Sequence, residues 1–467
     1  MDAFVDQLAV WLAARAEEIW TVMVPVLFGV GLLLSIRIGF LQFGKLGTAL
    51  RFGLGKAART SSGREGDVTP FAALSTALAA TVGNGNIAGV ATALMWGGPG
   101  ALFWMWGCGF LGMATKYSEA MLGVRYRQKH PDGSIAGGPM YYIRYGLNDT
   151  SFARGLAGFF AVCGAFAALF GTGNMMQSNQ ISLAINSEFG VPMWITGAVI
   201  TVLTALVILG GLKRIASVTE KLVPAMIVLY IGFGTVVLLL NVTHLPGAFW
   251  LIFENAFTPT AATGGFLGAT MMQGVQFGAR RGILSNEAGL GSAPIAHAAA
   301  QTPSPITQGL VGVMEVFIDT IVVCTFTGLI LMSTGLWTSG LAGSAMTAAA
   351  FSGSIPVVGG LVVALSSFLF GYSTLIGWSY YGEQCLQYLF GVSITLPYRI
   401  VFIALTFIGA VVSIEVVFFV GDIANAFMAL PNLIGLTLLS GIVARMTREG
   451  LATDPIFRKN AASAPTR

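Results

Sequence analysis

The chain is dominated by apolar runs long enough to cross a bilayer, and these constrain its fold more than any motif. A spanning helix needs about 20 mostly apolar residues. Eleven stretches meet that need: 19–39, 70–96, 99–126, 152–185, 192–211, 218–240, 264–297, 307–336, 357–389, 397–413 and 418–444. Of the 467 residues, 55% are hydrophobic and only 9% charged, against about 25% charged in a soluble domain. So few charged residues cannot surface a water-soluble fold of this length, so lipid is the solvent for most of it. Soluble enzyme, nucleic-acid binder and disordered scaffold all fit poorly.

The start, residues 1–18, carries Asp2, Asp6, Glu17 and Glu18 against one Arg15. This is not the basic start of a cleaved signal peptide. With Phe4, Leu8, Trp11 and Leu12 on one side, it reads as an amphipathic helix at the membrane interface. Segment 245–257 is too short to span and reads as a surface helix on the outer face. Cys108, Cys163, Cys324 and Cys385 sit singly in apolar runs with no CxxC pair, so they read as buried hydrophobes.

Lys and Arg set the orientation. With the N-terminus outside, Lys45 to Arg64 fall in the first inside loop and Arg125 to Arg154 in the second. Lys213, Arg214 and Lys221 fall in the third, and Arg280 and Arg281 mark a fourth. Arg399 opens the tenth span from the inside, and Arg445 to Arg467 form an inside tail. Only Arg15 of the 24 basic residues is left outside.

Set the first span aside and ten remain: five from 70 to 240 that start inside, and five from 264 to 444 that start outside. Opposed sets of five point to an inverted repeat of the kind found in secondary transporters. Each set opens with a helix interrupted by helix-poor residues, Thr81 to Asn86 in the first and Gln273 to Gly278 in the second. A helix broken at mid-membrane bares N–H and C=O groups that lipid cannot satisfy. The half-helix starting near Asn86 offers orphan N–H groups and a positive dipole end to a carboxylate, and the freed carbonyls suit an amine or Na+.

Polar groups inside the spans are costly and need a reason. Asn174 and Ser178 share one helix face, with Gln177 adjacent. Ser366, Ser367, Ser373 and Thr374 lie in the ninth span, available either for helix–helix hydrogen bonds or as hydroxyls for Na+. Glu287, soon after the second interruption, is expected to pair with a nearby Arg. Glu315 and Asp319, at i,i+4, require a cation, a donor or a proton between them. Glu119 and Glu383 are expected to be paired or solvated. His130, His244 and His297 belong to no catalytic motif: HExxH, GxSxG and Walker sequences are absent, and no nucleophile with its base can be assembled. The chain is therefore not expected to be an enzyme.

Several blocks resemble the alanine or glycine:cation symporters, the sodium:alanine symporter family. They are Gly83-Asn84-Gly85-Asn86-Ile87-Ala88-Gly89-Val90, the Phe103-Trp104-Met105-Trp106 block after Gly97-Gly98-Pro99-Gly100, Ala136 to Tyr142, and Ser285-Asn286-Glu287-Ala288-Gly289-Leu290-Gly291-Ser292-Ala293-Pro294. The resemblance covers essentially the whole chain, with Gly107-Cys108-Gly109 a departure after Trp106. It implies an all-α membrane fold similar to the bacterial leucine transporter: eleven helices, as five plus five inverted and one extra in front. By matching position it implies substrate contacts from Thr81, Asn84, Gly85 and Asn86, and from Gln273, Gln276, Phe277 and Gly278. Phe170, Asn174, Gln177 and Trp378 would line the pocket, and Thr81, Asn84, Ser373 and Thr374 would hold Na+.

The resulting organisation is an interfacial start at 1–18, an extra helix with a basic inside loop at 19–69, and a first repeat at 70–240. An outer connection at 241–263, a second repeat at 264–444 and a cytoplasmic tail at 445–467 follow. The expected activity is import of alanine, glycine or a similar small neutral amino acid with Na+ as coupling ion and no organic cofactor. The expected place is a bacterial inner membrane, with lipid as surroundings, no nucleic acid and no obligate protein partner. A pocket walled by Phe and Trp with no fixed charge would select zwitterions. H+ coupling, with Lys221 standing where Na+ would sit, is the alternative within the class. A passive channel is the rival outside it.

Overall fold

Long apolar helices with small-residue faces account for nearly the whole architecture. The computed structural model describes residues 2–60, 63–130, 133–257, 271–341, 343–412 and 414–457, with the side chains of 2–6, 271–273, 414–417 and 455 excepted. The helices that position the site are α1 (Asp2–Arg37), α2 (Pro70–Thr81), α3 (Ala88–Gly97), α4 (Gly100–Arg125), α5 (Pro139–Gly146), α6 (Ser151–Phe170), α7 (Met175–Phe189), α8 (Met193–Ile208) and α9 (Gly211–Leu240). They continue as α10 (Leu245–Phe257), α11 (Met271–Asn286), α12 (Ala293–Ala298), α13 (Pro305–Val316), α14 (Thr325–Ser333), α15 (Gly343–Ser354), α16 (Gly359–Phe390), α17 (Thr395–Val411) and α18 (Ile414–Thr453). Among the described residues the β-structure is one pair of two-residue strands, Gln128–Lys129 against Ile135–Ala136, and an isolated parallel bridge between Val68 and Ala300.

Seven helical stretches are long and apolar enough to cross a membrane, or eight if the bent pair α2 and Asn84–Gly97 counts as one span. This makes the chain a multi-pass membrane protein. Large apolar side chains on α8, α9 and α17 face outward, with Val202 59%, Val228 72% and Ile400 57% exposed, as a lipid-facing surface requires. The centre belongs to α4, buried from Gly112 to Val124, and to α16, buried from Phe370 to Cys385. The extra helix α1 packs along α18, and Trp20 donates its indole N–H to the Asp422 carbonyl at 3.1 Å.

Local chemistry explains the ends. Thr69 caps α2, accepting from the Ala72 N–H at 3.1 Å, and Pro70 fills the first helical position, where its missing N–H costs nothing. Ser304 caps α13 in the same way through the Thr307 N–H. In the loop between α5 and α6, Asp149 lies 2.7 Å from the guanidinium of Arg144 in the last turn of α5, which holds that carboxyl below its ordinary range.

The structure departs from the sequence expectations in four places. The start at 2–18 runs without a break into the first span as one 36-residue helix. The stretch 152–185 is interrupted at Gly171–Asn174, between α6 and α7. Gln273 to Gly278 is continuous helix within α11, and the interruption falls instead at 287–292. The reason is packing. A Cβ on Gly278 would stand 2.2 Å from the Ala101 carbonyl oxygen, and one on Gly274 would stand 3.3 Å from that of Gly97. These glycines let α11 lie against α4 rather than break it. Finally, Arg280 and Arg281 lie inside α11 and not in a loop, so they drop out of the inside-loop charge count.

Candidate functional site

The first break is built from its own sequence. Gly83 is extended, Asn84–Asn86 form a short 3-10 turn, and the chain bends by 58° between α2 and the segment that follows. The Gly83 N–H donates to Asn86 Oδ1 at 3.0 Å, so one freed backbone group is satisfied locally. A Cβ on Gly83 would meet the Thr374 hydroxyl at 2.5 Å, so only glycine lets the break nest against α16.

Asn86 faces away from any opening. Its Nδ2 donates to Asp319 Oδ1 at 2.7 Å, and its carbonyl accepts from Thr327 at 2.8 Å. Asp319 lies in a π-helical segment, Phe317–Cys324, between α13 and α14. The wider turn re-aims side chains, a common device at functional sites. Asp319 Oδ2 also accepts from Ser285 at 2.9 Å and from Thr320 at 2.8 Å. Asp319 thus joins the first break to the end of α11.

A cavity of about 560 Å³ closes on this break. Its inner end is formed by Thr81, Gly83, Asn84, Gly85, Thr374 and Trp378. From there it passes Gln177 and Gln180 on α7, and ends at Glu188, the C-terminal end of α7, beside Gly360 at the start of α16. The Trp378 indole N–H donates to Glu287 Oε1 at 2.8 Å, and the Ser292 hydroxyl donates to Glu287 Oε2. The α6–α7 interruption reaches the cavity through Thr172, whose carbonyl accepts from Gln177 Nε2 at 3.1 Å. Gln177 Oε1 in turn accepts from Asn84 Nδ2 at 3.4 Å.

The cavity therefore gathers Thr81, Asn84, Gly85, Gln177, Thr374 and Trp378 from the sequence-derived set. Others lie elsewhere. Asn174 donates to the Phe402 carbonyl and accepts from Thr406, tying α7 to α17. Ser373 turns to Met226 and the Phe370 carbonyl. Phe170 packs against Met175 and Met176. Gln276 and Phe277 line a separate cavity, Gly278 faces α4, and the Gln273 side chain lies outside the described residues. Lys221 is exposed and does not line the cavity.

The charges differ from the expectation of none. Arg281, Glu287 and Glu188 all line the cavity. Glu287 bonds to Trp378 and Ser292 rather than to an arginine, and Arg280 pairs with Asp422. Intramembrane charge itself flags such residues as functional candidates, and that signal was available for Arg281. Glu315 is met by a cation: Lys116 Nζ lies 3.0 Å away, and His297 Nε2 is 2.9 Å from its other oxygen. Glu119 accepts from the Gly289 and Gly291 N–H groups at 3.1 Å and from Asn432, and so holds the second interruption. Glu383 pairs with Arg399 at 2.6 Å.

Among the described residues no three His, Cys, Asp or Glu gather as a metal cluster, and beside the Glu287 carboxylate the break offers neutral oxygens. Asn84 Oδ1 and Ser367 Oγ are buried there without a hydrogen-bond partner among the described residues. The Thr374 hydroxyl donates to the Phe370 carbonyl at 3.0 Å, leaving its oxygen lone pairs free. Such hydroxyl and amide oxygens suit a hard monovalent cation.

A multi-pass bundle whose broken helix ends a polar-floored cavity is an arrangement used by secondary transporters. Residues 5–454 match the model of the sodium:alanine symporter family, and the chain belongs to that family. It is 49% identical over 430 residues to the sodium/alanine symporter AgcS of Methanococcus maripaludis, covering 91% of this chain and 93% of that one. It is 38% identical to the probable sodium/glutamine symporter GlnT of Bacillus subtilis, covering 95% and 92%. Among solved structures it shares its fold with a Na+-coupled sialic acid symporter captured substrate-bound and outward-open. That match has a TM-score of 0.51 at 12% identity, over 89% of this chain and 98% of that one.

Proposed function

We propose that the protein imports small neutral amino acids, alanine and glycine foremost, in symport with Na+. One observation carries this reading: the cavity ends on the broken helix, where Asn84, Gly85 and Thr374 present polar groups beside the Trp378 ring. In this reading the orphan N–H groups at the start of α3 take the substrate carboxylate. Thr81, Asn84 and Gln177 orient the solute, and Trp378 limits its side chain. Na+ is held by backbone oxygens of Thr81 and Asn84 with the Thr374 hydroxyl. Family membership and the names of the two relatives support sodium and an amino acid as the pair.

The architecture proposed with it is eleven spans as two inverted sets of five, 70–240 and 264–444, behind one extra helix, similar to the bacterial leucine transporter. The interruptions at 82–87 and 287–292 occupy the first helix of each set and support that pairing. The distribution of loop Lys and Arg favours an external N-terminus and an internal C-terminus in a bacterial inner membrane. The cavity then opens outward, at Glu188 and Gly360. Na+ binding stabilises this state and preorganises the break for substrate, a linkage of two binding free energies.

The test is counterflow in proteoliposomes with labelled alanine, glycine, serine and leucine, with and without Na+. Na+-dependent accumulation of alanine and glycine against a gradient is expected. Accumulation driven by a pH gradient without Na+ would replace the coupling ion, and equilibration without accumulation would mean a channel.

A further inference from the structure

A second cavity, of about 260 Å³, lies beside the first, between α1 and α11. Glu17 and Trp20 of α1 wall one side, and Arg280, Arg281 and Phe277 of α11 the other. Arg281, Phe418 and Phe419 line both cavities, so these three side chains are the partition between them.

The two arginines of this wall are placed differently. Arg280 pairs with Asp422 and lies over the Trp20 ring, 5.8 Å from its centroid. Arg281 has no ion pair and no hydrogen bond among the described residues. Its guanidinium lies over the Phe418 ring at 4.7 Å, and its Nε is buried without a partner. A guanidinium has five donors and cannot shed its proton. Placed at the edge of two cavities with its donors unused among the described residues, it is suited to receive an anion, and a carboxylate matches its planar fork. Six residues, or about 9 Å of helix rise, separate Arg281 from Glu287 at the floor of the main cavity. The two charges in an α-amino acid are attached to neighbouring atoms, so one small solute at the floor does not span that distance.

We infer that Arg281 forms a second binding site, for a small organic carboxylate, between the two cavities and above the broken helix. The carboxylate takes the guanidinium fork, and the apolar part of the ligand lies on Phe418 and Phe419. An incoming amino acid and an amine-free carboxylate share this chemistry.

The probe is benzoate, a carboxylate with an aromatic body and no amine, titrated into the purified full-length protein. Saturable binding is expected, weakened at least tenfold in Arg281→Gln and by a smaller factor in Arg281→Lys, which keeps the charge and loses the fork. Phe418→Ala, which leaves the charge in place, is expected to weaken it several-fold and serves if Arg281→Gln does not fold. Benzoate affinity unchanged in Arg281→Gln, or absent from the wild type, would overturn the site. Displacement by alanine assigns the site to the amino-acid solute, and resistance to alanine assigns it to amine-free carboxylates. Failure of alanine uptake would remove the proposed function and leave this binding measurement standing.

Discussion

Asn86 and Asp319, 233 residues apart, are joined by a 2.7 Å hydrogen bond inside the bundle. Asn86 is thereby a clasp for the first break rather than part of the cavity wall. Its Oδ1 holds the Gly83 N–H and its Nδ2 holds Asp319. Asn86→Leu removes both bonds and leaves a buried N–H and a buried carboxyl oxygen unsatisfied, at about 1–3 kcal/mol each. The expected outcome is a lower thermal midpoint together with lost uptake. A variant with wild-type stability that binds no substrate would instead place Asn86 on the ligand.

Asp319→Asn probes the other end of the clasp. Asp319 accepts from Asn86, Ser285 and Thr320, all of them donors. An amide turns one acceptor into a donor and sets it against those groups. Alanine uptake is expected to fall at least tenfold with the protein still folded, because the joint between the break and α11 is lost. Uptake within twofold of wild type would show that the joint does not matter to transport.

Thr374 and Ser373 separate the two sides of α16. Thr374 packs on Gly83 and lines the cavity, whereas Ser373 bonds to Met226 and the Phe370 carbonyl. Thr374→Val keeps the shape and removes the hydroxyl. It is expected to raise the Na+ concentration for half-maximal uptake about tenfold, equivalent to about 1.4 kcal/mol. Ser373→Ala is expected to leave that concentration unchanged. Equal effects of the two substitutions would refute the proposed cation site.

The glycines of α3 and α11 make opposite predictions. A Cβ on Gly278 would collide with the Ala101 backbone at 2.2 Å, while Gly89 has nothing within 4 Å and lines the cavity. Gly278→Ala is expected to destabilise by about 1–3 kcal/mol, the usual cost of overpacking, seen as a lower thermal midpoint. Gly89→Ala is expected to keep the midpoint and to change substrate affinity.

Which features were readable from the sequence follows from what each residue contacts. The short helix at 245–257 and the break at Thr81 to Asn86 depend on local pattern, and both were legible. Gly274 and Gly278 look like helix breakers but are there for contact with α4, which no single-chain pattern reveals. The interruption at 287–292 depends on Glu119 and Asn432, more than 140 residues away, holding its backbone. Asn174 and Ser373 are polar for the sake of a neighbouring helix, and the sequence gives only their spacing, not their direction. The α6–α7 interruption hid in an apolar run, although Gly171 and Gly173 mark it. They let the chain pass close to Gly421 and Trp378.

The Lys116–Glu315 pair closes at 3.0 Å with both side chains fully buried, and His297 is held on the second carboxylate oxygen. Bringing both charges out of water costs several kcal/mol per ion, and their mutual attraction offsets that only while both are present. Lys116→Met leaves the Glu315 charge without its cation, and a loss of about 3–5 kcal/mol is expected. In Lys116→Met/Glu315→Leu both members of the pair are gone, so much of that loss should be regained. His297 keeps its bond to Gln308, 2.7 Å from Nδ1. Unfolding midpoints of the two single variants and the double variant measure the coupling. A double variant no more stable than Lys116→Met would mean that the pair holds helix geometry through contacts other than its charges.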